Sequence, residues 1–79
     1  MNLNIKGKVF NLPLDIDIYH DKEVNCTYFA FKDELYWEKF HDNILQTLRI
    51  KNLNKVGLRF SYFGFFFDGT TFPEGIFIN

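Results

Sequence analysis

A single cysteine, Cys26, excludes an intramolecular disulfide, so no internal covalent bridge supplements the core of this 79-residue chain. The same scarcity suits a reducing interior, and a cytoplasmic location is expected. Long apolar runs are missing too. The stretch that most invites a membrane reading, Phe60 to Phe67, has eight residues, against the roughly 20 that span a bilayer as a helix. The opening MNLNIKGKVF alternates polar and apolar residues and lacks the continuous apolar segment of a secretory signal. Neither membrane insertion nor export is expected. Nor is there an excess of one charge. Nine Lys and Arg against ten Asp and Glu leave a net charge of −1, which argues against a strongly basic nucleic-acid binder and an acidic DNA mimic alike. The charge is uneven, with −3 over residues 1 to 42 and +2 over residues 43 to 79, a dipole able to steer a partner.

Aromatic residues are what the chain has in quantity. Eleven Phe, four Tyr and one Trp are more ring surface than one small sheet and one helix easily hide. The excess points to a partner or a self-association face. Phe, Ile, Lys and Asn supply 33 of the 79 residues and Ala occurs once, at Ala30. These are products of AT-rich codons, so an AT-rich microbe, phage or mobile element is the expected source, and codon bias alone accounts for part of the Phe content. The length predicts one domain, 1–79, because a second core would have too little apolar area to offset chain entropy. Small domains without disulfides or metals are often completed by oligomerisation, so a homodimer or a partner complex is expected.

Leu3, Ile5, Gly7 and Val9 alternate with polar residues and predict a first strand. Pro13 interrupts it. A second strand follows with Leu14, Ile16 and Ile18 inward and Asp15, Asp17 and Tyr19 outward, and a third runs from Val24 to Phe31. Asp33 is placed to cap a helix in which Trp37, Phe40, His41, Ile44, Leu45 and Leu48 form one apolar stripe, with Asn52 able to close it. Lys55 to Phe67 predicts a long fourth strand, Asp68-Gly69 a hairpin turn, and Thr70 to Ile78 a fifth strand that Pro73 and Gly75 place on an edge or break. The fold class is therefore α+β: an antiparallel sheet of about five strands (β-β-β-α-β-β) with one helix packed on one face.

In the fourth strand Val56, Leu58, Phe60, Tyr62 and Phe66 share the helix side, while Phe63, Phe65 and Phe67 form an apolar patch on the far face. That patch is the expected self-association or partner interface. Glu34, Glu38 and Asp42 stand four apart on the outer helix face, an acidic row suited to a basic partner surface, or an ordinary solvated face. The string Phe63-Gly64-Phe65-Phe66-Phe67 has the aromatic-Gly-aromatic core of base-stacking RNA-binding sheets. Ser61, Tyr62 and Asp68 replace the basic, glycine and aromatic residues that would complete that pattern. His20, Asp21, Glu23 and Cys26 cluster in sequence but match no zinc spacing, and no phosphate loop or nucleophile elbow is visible. No metal, cofactor or catalytic residue is assigned. The expectation is a small non-enzymatic protein-binding module of phage or mobile-element origin, an inhibitor with an anti-defence, immunity or antitoxin role. The alternatives are a single-stranded nucleic-acid binder using an aromatic sheet face, and an accessory subunit of a larger complex.

Overall fold

A computed structural model describes all of residues 1–79. The α+β class holds, but one helix is joined by seven strands in two antiparallel sheets, not by one sheet of about five. The extra strands come from hairpins where the alternation had suggested continuous strands. Strands β1 (Asn2–Ile5) and β2 (Lys8–Asn11) fold about Lys6-Gly7, whose φ angles of 52° and 87° are both left-handed. Such a pair gives a two-residue turn the twist that antiparallel strands need. Asn4 Oδ1 accepts the Gly7 N–H at 3.1 Å and fixes the turn. Leu3 and Ile5 then face the core from one strand and Phe10 from the other.

The second sheet is ordered β3-β4-β6-β5, from Asp17–Asp21, Cys26–Ala30, Gly64–Asp68 and Arg59–Ser61 respectively. The expected inward stripe of Leu14, Ile16 and Ile18 forms only in part, with Ile18 on the inner face opposite Phe29. Leu14 precedes β3 and is 94% exposed, Ile18 lies half-open on an edge strand, and only Ile16 packs on the core.

Between the strands, helix α1 spans Glu34–Leu48. Asp33 caps it as expected, accepting the Tyr36 N–H at 3.1 Å. Its C-terminus is closed by Arg49 at φ 55° rather than by Asn52, which instead caps a 3₁₀ turn over Leu53–Val56. Trp37, Phe40 and Ile44 are buried, and Leu45 and Leu48 pack beside them. Phe40 meets Phe10 of the first sheet and Phe65 of the second, each at 6.2 Å between ring centroids, so the helix ties the two sheets together. His41 lies at the stripe's edge between Trp37 and Phe60, its Nε2 buried without a hydrogen-bond partner.

The long fourth strand expected from Lys55 to Phe67 does not form as one piece. It is broken at Tyr62-Phe63 by a two-residue hairpin that pairs Phe60 with Phe65 and Arg59 with Phe66. Crossing such a turn exchanges odd and even positions between faces. Phe65 and Phe67 therefore do not form an outward patch. They are 0% and 2% exposed and belong to the core under the helix, while Phe66 points the other way. Phe63, at the tip, is the one member of the expected trio that is exposed. Asp68-Gly69 is accordingly the end of β6, not a hairpin. Gly69 N–H donates to the Asn25 carbonyl at 2.6 Å, and the chain continues past Phe72, which packs on Phe29 and Phe67. It ends as β7 (Ile76–Ile78), paired with β1 to give the order β2-β1-β7.

Two substitutions separate core from surface. Phe65→Ser should unfold the domain or cost at least about 3 kcal/mol, whereas Phe63→Ser should leave its urea midpoint nearly unchanged. Gly64→Ala should also destabilise the domain, by roughly 1–3 kcal/mol, because a Cβ there would lie 1.9 Å from the Phe29 carbonyl oxygen.

Candidate functional site: an aromatic row on the outward sheet face

The strand registers place Tyr19 of β3 opposite Tyr28 of β4, Tyr28 opposite Phe66 of β6, and Phe66 opposite Arg59 of β5. Three rings and a guanidinium thus stand in one line across all four strands. The line faces away from the helix, because Phe29 and Phe65, their neighbours in sequence, point toward it. On one side the next row is Asp17, Ala30, Gly64 and Ser61, and on the other Asp21, Cys26 and Asp68.

Small residues in the first of these rows leave room for Tyr28 to lean toward β5. Its hydroxyl donates to the Ser61 carbonyl at 2.6 Å, and a Cβ on Gly64 would come 3.0 Å from the Tyr28 hydroxyl oxygen. Burial pushes the Tyr28 hydroxyl above its ordinary pKa of 10.0. At the far end of the line Arg59 is held twice. Its guanidinium carbon sits 4.3 Å from the Phe66 ring centroid, and its Nη2 ion-pairs with Asp68. At the opposite corner Lys32 lies 3.8 Å from Asp17. Asp21 has no cation beside it; its carboxylate accepts the Glu23 N–H at 3.0 Å.

Between Tyr19, Tyr28, Tyr62 and Phe66, with Asp21, Val24 and Cys26 at one end and Ser61 at the other, the face is hollowed by about 500 Å³. Tyr62 is unusual twice over. It is 87% exposed, and its φ of 49° puts a bulky side chain in the left-handed region, at a cost of roughly 1–2 kcal/mol.

The residues singled out from sequence are scattered over the molecule. Phe63 stands at the hairpin tip beside Tyr62, ring centroids 6.1 Å apart, while Phe65 and Phe67 lie on the other side of the sheet. Glu34, Glu38 and Asp42 are exposed along the helix, across the sheet from the aromatic row, and only Asp42 has a basic neighbour, His41 Nδ1 at 3.6 Å. His20, Asp21, Glu23 and Cys26 do not converge on a metal-sized site. His20 turns inward, 3.0 Å from Thr27 Oγ1, while Asp21 and Cys26 face outward. Tyr28, Phe66 and Arg59 were not singled out, and no signal short of the hairpin's position could have joined them to Tyr19. No helix is long and apolar enough to cross a membrane. Compared with known proteins, the chain matches no family model, no curated protein and no solved structure.

Two measurements probe this face. Tyr62→Gly should raise stability in urea by about 1 kcal/mol, since glycine takes a positive φ without strain. Because the folded state holds the Tyr28 proton more tightly than the unfolded chain does, the associated stability is fully present below pH 10 and is lost as pH rises through the raised value. Denaturation between about pH 9 and pH 11 should therefore show a steeper loss in the wild type than in Tyr28→Phe.

Proposed function

We propose that the protein is a non-enzymatic binding module that docks a partner protein on the outward face of its four-stranded sheet. The observation that carries this reading is the row of Tyr19, Tyr28 and Phe66 on the face turned away from the helix, Tyr19 exposed and the other two half-buried. Rings of this kind bury a large area at small entropic cost and are enriched where proteins meet. The polar groups of the row are largely engaged within the face, Arg59 with Asp68 and Phe66 and the Tyr28 hydroxyl with Ser61. That leaves a mainly apolar, hollowed surface for docking. The outward Tyr62, 87% exposed, adds a further ring beside the row. An inhibitor of phage or mobile-element origin, with an immunity or antitoxin role, fits the small size and AT-rich composition, as an analogy from both.

A second reading, single-stranded nucleic acid stacked on the same rings, draws on their linear arrangement. The charge of the face opposes it. Asp17, Asp21 and Asp68 outnumber Arg59 and Lys32 there, whereas phosphate contacts carry much of nucleic-acid affinity.

Affinity capture from host or target-cell lysate should retain one stoichiometric protein on the wild type. Tyr19→Ala combined with Tyr62→Gly should lower that retention at least about tenfold while leaving circular dichroism unchanged. Retention lost instead on reversing Glu34, Glu38 and Asp42 to Lys would move the interface to the helix. Nucleic acid released above about 200 mM salt would favour the second reading, and a doubled mass in sedimentation equilibrium would identify a second copy as the occupant.

A further inference from the structure

We infer that the hollow bounded by Tyr19, Tyr28, Tyr62 and Phe66 receives an arginine or lysine side chain from a basic segment of the partner. The inference rests on the docking reading above and specifies the chemistry of its occupant. The faces of aromatic rings carry negative charge and attract cations, most strongly where water is excluded. The molecule itself supplies the precedent: Arg59 already lies over Phe66, at the end of the same row.

Charge decides between occupants. Of the three carboxylates on this face, Asp68 is matched by Arg59 and Asp17 by Lys32. Asp21 alone lacks a cation, and it is the one that borders the hollow. Lys22 and Glu23, next in the adjoining turn, offset each other. An apolar occupant would desolvate the Asp21 carboxylate without compensation, and an acidic one would be repelled by it. A basic side chain meets both requirements, its stem against the rings and its head beside Asp21. The hollow, about 500 Å³, is within the usual range of ligand sites.

The test is a nitrogen-15 NMR titration of the intact protein with a soluble arginine-rich dodecapeptide, and with a glutamate-rich peptide of the same length. The arginine peptide should saturably shift the amides of Tyr19, Asp21, Tyr28, Tyr62 and Phe66. Asp21→Asn and Tyr19→Ala, both at exposed positions, should each weaken it by about two- to fivefold. Shifts confined to Glu34, Glu38 and Asp42, affinity unchanged by both substitutions, or equal shifts with the glutamate peptide would each overturn the cation site. Lysate capture that still depends on Tyr19 and Tyr62 would then leave the docking reading standing. Capture indifferent to those residues would overturn docking and the cation site together.

Discussion

The stack of Phe29 on Phe65, ring centroids 4.8 Å apart and planes within 8°, sets the register on which both faces of the larger sheet depend. Those two residues sit opposite each other on the central strands β4 and β6. Their rings meet Trp37 and Phe40 of the helix through Phe65 and Phe31. Aromatic pairs contribute about 0.5–1.5 kcal/mol each beyond the area they bury. A slip of one residue between these strands would turn Phe65 and Phe67 toward water and strip the helix of its platform.

Alternation obliges the same register to build the opposite face. If Phe29, Phe65 and Phe67 are to point inward, Tyr28 and Phe66 must point outward, and pairing with the edge strands aligns Tyr19 and Arg59 with them. The aromatic row is thus inseparable from the core beneath it. Ala30 and Gly64, flanking the row, leave Tyr28 room to bridge to β5 and brace that edge through the Ser61 carbonyl. Codon bias would account for part of the phenylalanine content; it would not account for three rings and a guanidinium falling into one line.

The helix was legible because its signals are local. Asp33 offers a cap, and an apolar stripe at 3.6-residue spacing runs through Trp37, Phe40 and Ile44. The strands were half legible. Cys26 to Ala30 lies within the predicted third strand, and Asp17 and Tyr19 face outward as the alternation implied. What misled was punctuation. Asp68-Gly69 has the composition of a hairpin turn, and Tyr62-Phe63 does not, yet the chain reverses at Tyr62. In strands of period two, moving one turn by a few residues reassigns every side chain beyond it. Phe65 and Phe67 were therefore placed outside and Phe66 inside. The aromatic residues divide between the core and the outward sheet face, and which rings compose that face depended on a tyrosine turn that local preference would not choose.

The first strand also links distant parts of the chain. β1 joins β2 across a two-residue turn on one side and β7 on the other, where Lys6 Nζ reaches the Glu74 carbonyl across 68 residues. Because β1 precedes β7 along the chain, Leu3 and Ile5 gain their neighbour on that side only when Ile76 to Ile78 is in place. Contacts of such separation slow folding, because loop entropy is lost before the contact is gained. The domain thus behaves as a clasp whose last strand secures its first.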